Sequence, residues 1–266
     1  MKPIVSRLAK AAFALADTPY GRWHGPRLLI YHQVGTHLLR EMEVPTDTFA
    51  RQLDWLAEHG EIVDLDTALT SVTTARADCT FSLGFDDGYL DLFTTAYPLL
   101  VAASIPFTLY LTTRPVDTRE ALTPGGGAEP LRWEHVQEMM DSGLVTLGAH
   151  THTHPDLRNL PADIIGAELD RCNELISSRT GIVAEHFAYP KGYWDAVADR
   201  EVRQRYRTAV LGAGPPITPA TDPYLLHRIP VQRTDGLVFF KRKMLTGMRW
   251  EERTRRSLRG YRGPPA

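Results

Sequence analysis

Ser82-Leu83-Gly84-Phe85-Asp86-Asp87-Gly88-Tyr89 is the stretch that decides how the rest of the chain is read. An apolar run from Phe81 to Phe85 stops on two adjacent carboxylates and a glycine. A buried strand does not carry charges in its middle, so the strand must end here and deliver Asp86 and Asp87 to a rim. Gly88 lets the backbone turn at once. Two carboxylates this close resist ionising together unless a proton or a cation lies between them. Alone, Asp-Asp-Gly reads as a solvated turn. A second cluster changes that reading: His150-Thr151-His152-Thr153-His154 also follows a strand-like apolar run. Carboxylates and imidazoles at two strand ends are the donor set of a catalytic divalent-metal site.

Outward from these clusters, short apolar runs alternate with helical patterns. Strands are expected at Arg27 to Tyr31, Ile62 to Leu65, Phe107 to Leu111, Leu144 to Ala149, Ile182 to Tyr189, Arg207 to Leu211 and Tyr224 to Val231. Helices are expected at Thr46 to His59 with Thr46 as cap, at Tyr89 to Ala103 with a break at Pro98, and at Trp133 to Ser142. Further helices fall at Pro161 to Arg179, Asp195 to Tyr206 and Leu237 to Met244, with another starting at Asp66. Thr112 to Pro130 holds three prolines and Gly125-Gly126-Gly127, which predicts a loop that could act as a lid. The alternation argues for α/β with a parallel sheet, open or closed into a barrel. In either form functional groups gather at the carboxyl ends of strands. His32, Asp86-Asp87, His150 and Tyr189-Pro190 all fall at such ends.

Composition narrows the partners. The chain has 266 residues, 43% hydrophobic and 23% charged, with a net charge of −2. That balance gives no electrostatic reason to expect nucleic acid. Cys79 and Cys172 lack metal-type spacing and read as reduced, buried thiols, which fits a cytoplasmic protein and leaves export open. Residues 1–26 read as a lead-in with an amphipathic helix carrying Ile4, Leu8, Ala12 and Leu15, packed on the domain or resting on a membrane surface. A cleaved signal is the weaker reading, because Lys10 interrupts the apolar stretch. A single domain is expected over 27–246 and a basic tail over 247–266. Oligomeric state stays open.

His150 and His154 are four residues apart. On a helical turn both imidazoles share one face; in an extended segment His150, His152 and His154 would share it. Pro155 favours the turn, hence His150 and His154. One carboxylate from the other cluster would complete three ligands and leave positions for water and substrate. The remaining carboxylate is then free to act as a base.

Phe85-Asp86-Asp87-Gly88, His150-Thr151-x-x-His154 and Phe187-Ala188-Tyr189-Pro190-Lys191-Gly192 resemble the first three motifs of the polysaccharide deacetylases with a NodB homology domain, carbohydrate esterase family four. Leu29-Ile30-Tyr31-His32 resembles the branch that includes biofilm poly-N-acetylglucosamine deacetylases. The resemblance implies a deformed (β/α) barrel of about seven parallel strands. It implies hydrolysis of N-acetyl or O-acetyl groups on a sugar polymer or glycan. The metal would be zinc, with cobalt, nickel or iron as alternatives. It places Asp86 as the base on a water held by the metal, Asp87, His150 and His154 as ligands, and Thr151 as support. It also places the Lys191 N–H as oxyanion donor and His32 as general acid. Ala188 stands where many members carry an arginine that orients the base, and Arg228 is a candidate to supply that guanidinium. Leu226-His227 matches a further motif loosely and makes His227 a rival to His32. Tyr189, Tyr193 and Trp194 are candidates for the sugar groove. Two other readings compete: hydrolysis of a non-sugar C–N bond on the same scaffold, and a catalytically silent polysaccharide-binding module.

Overall fold

The structure, a computed structural model, describes residues 23–35, 40–74, 76–122, 128–247 and 254. The expected N-terminal amphipathic helix, nearly all of the arginine-rich tail and Gly125-Gly126-Gly127 lie outside them.

The elements in chain order are β1 (Arg27–Tyr31), β2 (Gln33–Val34), β3 (Glu43–Val44), α1 (Thr46–His59), β4 (Glu61–Ile62), α2 (Leu65–Ser71) and β5 (Thr80–Asp87). A π-helical turn, Leu92–Ala96, then leads into α3 (Tyr97–Ala102). After it come β6 (Phe107–Leu111), α4 (Thr113–Thr118), α5 (Trp133–Asp141), β7 (Val145–Ala149), α6 (Ala162–Thr180) and β8 (His186–Ala188). The chain continues through α7 (Ala196–Arg203), β9 (Thr208–Val210), β10 (Ile229–Pro230) and α8 (Gly236–Thr246). The main sheet is parallel, in the order β10-β1-β5-β6-β7-β8-β9, and β4 adds to β5. Leu226 bridges β9 at Val210 while Ile229 and Pro230 pair with β1, so one short segment draws the two sheet edges into a deformed barrel.

Strand parity explains the core. Phe81, Leu83 and Phe85 of β5 join Phe107, Leu109 and Leu111 of β6 in the large cluster under the helices. Their neighbours point the other way, where Leu28, Tyr110, Ala188, Val210 and Leu226 fill the barrel interior. The cross-strand row Asp86, Tyr110, Gly148 therefore belongs to the interior.

Several elements depart from expectation for local reasons. Thr112 to Pro130 is not all loop: α4 forms there, because Pro115 lies in its first turn, where no N–H is needed. The bend expected at Pro98 is taken up by the π-helical turn just before it. Helix α2 begins at Leu65, not Asp66, since Asp64 caps it by accepting from Thr67 N at 2.8 Å. Tyr224 to Val231 is not one strand, because it serves two partners and pairs only through Leu226, Ile229 and Pro230. Cys79 is exposed, at the end of a short turn before β5; Cys172 is buried. Among the described residues, no helix is long and apolar enough to cross a membrane.

Candidate metal centre and active site

Strand β5 brings both carboxylates to the carboxyl rim, and backbone conformation separates them. Asp86 follows strand parity into the interior. Asp87 would fall on the apolar outer face, but its φ of 74° is left-handed and the chain turns at once into Gly88, φ 90°. A Cβ on Gly88 would sit 2.6 Å from Leu111 Cδ1, so the close turn requires glycine. Register holds Asp87 in place: it pairs with Leu111, and its carbonyl accepts from Thr112 N at 3.2 Å.

His150 follows β7 directly. Its Nδ1 donates to the Ala188 carbonyl at 2.7 Å, which fixes the tautomer and turns the Nε2 lone pair inward. His154 arrives by a route the sequence did not suggest. Residues 151–154 are not a helical turn; Thr151 and His154 are left-handed, with φ of 68° and 60°, and His154 N donates to Thr151 Oγ1 at 3.0 Å. His152 turns away to Thr113 Oγ1, 3.0 Å from its Nδ1. Glu168 of α6 clamps this loop, accepting from His152 N, Thr153 N and Thr153 Oγ1 at 3.1, 2.8 and 2.7 Å. Sequence reading missed Glu168, which looks like any helical surface acid; its distance in sequence from the loop hides its partner.

The result is a compact donor set. Asp87 Oδ1 lies 3.4 Å from His150 Nε2 and 3.3 Å from His154 Nε2. One ligand atom from each of the three residues falls within 4.8 Å of the others. Asp87 Oδ1 is buried and accepts no hydrogen bond. A buried carboxylate oxygen left unbonded between two imidazole nitrogens is poor for a hydrogen-bond network and right for a shared cation. Electrostatics agree. Burial raises the Asp87 carboxyl, but the close imidazoles of His150 and His154 outweigh it and hold the group ionised well below the usual carboxylate range. Burial pushes His154 down to about 4, against the pull of Asp87, so its imidazole is neutral, as a ligand must be. His150 is also opposed by burial, yet Asp87 and Asp86 raise it, so in the metal-free chain protonation of His150 competes with any cation.

Asp86 has a different partner. Arg228, immediately before β10, donates to it through Nη1 and Nη2 at 2.6 and 2.7 Å, and its Nε donates to the Leu211 carbonyl at 3.1 Å. Gly84 makes room: a Cβ there would lie 3.4 Å from Arg228 Nη1 and 3.3 Å from the Tyr110 ring. Burial pushes Asp86 up, but the guanidinium, with help from His150, more than offsets this and keeps it ionised. The barrel thus places a guanidinium on Asp86 from the segment before β10, not from β8, which carries Ala188.

His32, half-buried after β1, lies near enough for its charge to act on Asp86, Asp87 and His154. The ring of His227 lies against Gly214, where a Cβ would come within 2.2 Å of it. Lys191 is left-handed at φ 61°, in a turn closed by Gly192 N on the Tyr189 carbonyl at 2.8 Å. Tyr189 does not line a groove: it is fully buried and its hydroxyl donates to Asp199. Tyr193 carries the Arg158 guanidinium 3.8 Å above its ring, linking the Lys191 turn to the chain after His154. Trp194 is partly buried against the core.

A barrel whose carboxyl rim joins an Asp-His-His donor set to a second, arginine-held carboxylate defines a class of hydrolase with a candidate metal centre. The family profile described as polysaccharide deacetylase matches residues 74–210, just over half of the chain. The chain belongs to that family, and is a hydrolase of the kind that acts on the C–N (amide) bonds of polysaccharides. It is 22% identical over 209 residues to YxkH of Bacillus subtilis (strain 168), whose name assigns it provisionally to the same family; the match covers 77% of this chain and 70% of that protein. The fold is shared with IcaB from Ammonifex degensii: TM-score 0.72, 23% identity, 83% of this chain and 97% of that one. It is shared too with a de-N-acetylase from Aggregatibacter actinomycetemcomitans: TM-score 0.70, 18% identity, 83% and 99%. Streptococcus pyogenes PplD, solved with acetate, has TM-score 0.69 at 20% identity, covering 81% and 97%. His32 and Arg228 fall outside the profile match, so family membership alone does not speak for them.

Proposed function

We propose that this chain removes N-acetyl groups from a glycan, with Asp86 as base, His32 as acid and Asp87, His150 and His154 holding a divalent metal. The observation that carries the reading is the division of labour between adjacent carboxylates: Asp87 leaves an oxygen bare between two imidazoles, while Asp86 is saturated by Arg228 on one side. Two nitrogens and one oxygen suit zinc. When bound, the metal would polarise the acetyl carbonyl and make water more acidic. Asp86, kept ionised by Arg228, accepts the proton of the attacking water. The Lys191 N–H, presented by its left-handed turn, stabilises the charge that develops on the carbonyl oxygen. His32 gives a proton to the departing sugar nitrogen, leaving acetate and a free amine.

The test pairs metal analysis with acetate release from an N-acetylglucosamine oligomer. Asp86→Asn should retain about one metal ion per chain and lose activity on the order of 10³-fold or more. His154→Ala should lose the metal. Full activity in both variants, at full metal content, overturns the assignment.

A further inference from the structure

We propose that Asp91 is a positioning residue for His32, tying the strand behind that histidine to the turn that follows the carboxylate pair; this rests on the reading of His32 as proton donor. Gln33 and Val34 follow His32 directly as β2. Asp91 Oδ2 accepts from Gln33 Nε2 at 3.2 Å, and the carboxyl also accepts from the Val34 and Leu92 N–H groups. Asp91 itself lies four residues beyond Asp87. One carboxyl group therefore joins the segment bearing the acid to the segment bearing the base and a ligand. From the other side β2 pairs with β3, where Glu43 is fully buried and its Oε2 lies 3.7 Å from Arg233 Nη1.

Folding stability alone does not explain an acid here. Asp91 Oδ1 and Gln33 Oε1 are both buried without a hydrogen-bond partner. Burial, helped by Glu43, pushes the carboxyl up to about 7 against the pull of its three donors. An apolar pair of similar volume would pack this place at lower cost. What an apolar pair lacks is direction: acceptors that fix where the chain after His32 lies. Acid catalysis depends on that placement at the level of an ångström.

The experiment is a double-mutant cycle with Asp91→Ala and His32→Ala, read as kcat, KM, metal content and melting temperature on an N-acetylglucosamine oligomer. Asp91→Ala should lower kcat about tenfold at unchanged metal content, and add less than about twofold in the His32→Ala background. Asp91→Asn, which keeps an acceptor, should recover most of the rate; Gln33→Met should reproduce the loss if Asp91→Ala folds poorly. On an aryl acetate, whose phenolate leaves without a proton, the Asp91 and Gln33 variants should match wild type. Full additivity, or an equal loss on both substrates, overturns the positioning role. A wild-type rate in His32→Ala instead overturns the acid assignment, and the proposal with it.

Discussion

The two ends of the barrel carry the same kinds of side chain and use them differently. At the amino ends of β8 and β9, Arg207 donates to both oxygens of Asp66 and to Glu185, and His186 meets Thr208 Oγ1 at 2.8 Å. These groups satisfy one another, and Arg207 and Asp66 are about half exposed, at 49% and 50%. At the carboxyl ends Asp86 and Arg228 are almost completely buried, and Asp87 keeps an oxygen that no protein group bonds. Residue type does not separate the two places. Burial together with a deliberately unsatisfied atom does, because such an atom costs free energy unless something outside the chain completes it.

The largest effect should come from the upper end. Arg228→Met leaves Asp86 buried and unpaired, so unfolding in urea should show a loss of about 3–5 kcal/mol, and deacetylation should fall with metal content unchanged. A loss below about 1 kcal/mol would place this pair with the surface pairs below.

Asp91 tests the same rule at intermediate scale. Its folded pKa, about 7, lies above the ordinary carboxylate value, so the folded chain binds the proton more tightly than the unfolded one. Stability from that group is present at low pH and declines as pH rises through the interval up to about 7. Asp91→Asn should therefore melt a few degrees above wild type at pH 8, on a scale of about 2–4 °C per kcal/mol, and the advantage should shrink at pH 5. A variant that melts lower at pH 8 would mean that the ionised carboxylate is well accommodated.

The smallest effect belongs to the lower end. Arg207→Met should change stability by less than about 1 kcal/mol and leave turnover unchanged, since its ion pairs face solvent. A loss matching that of Arg228→Met would erase the distinction between the two ends.

Which of these features can be read along the chain depends on whether partners are close in sequence. The run Phe81 to Phe85 ending on Asp86-Asp87, and the five-residue histidine cluster, announce a rim site because adjacent charges and clustered imidazoles are costly in the middle of a buried strand. Most helices and strands followed from apolar periodicity; α4, the two-residue strands β2 and β3, and the split final strand did not. His150 and His154 were legible as a pair, but the backbone that joins them was not: two left-handed residues and a threonine hydroxyl do what a helical turn was expected to do. The Glu168 clamp and the Asp91 link were invisible, since each acid looks ordinary in its own helix.

Sequence alone determined the donor chemistry, because ligand and base must be particular residue types at strand ends. Tertiary structure decided which partners each carboxylate meets. Arg228 and Asp86 are 142 positions apart, and they meet only because Leu226 and Ile229 close the barrel and Gly84 leaves space for the guanidinium. No local rule relates residues at that separation; the register of the sheet does.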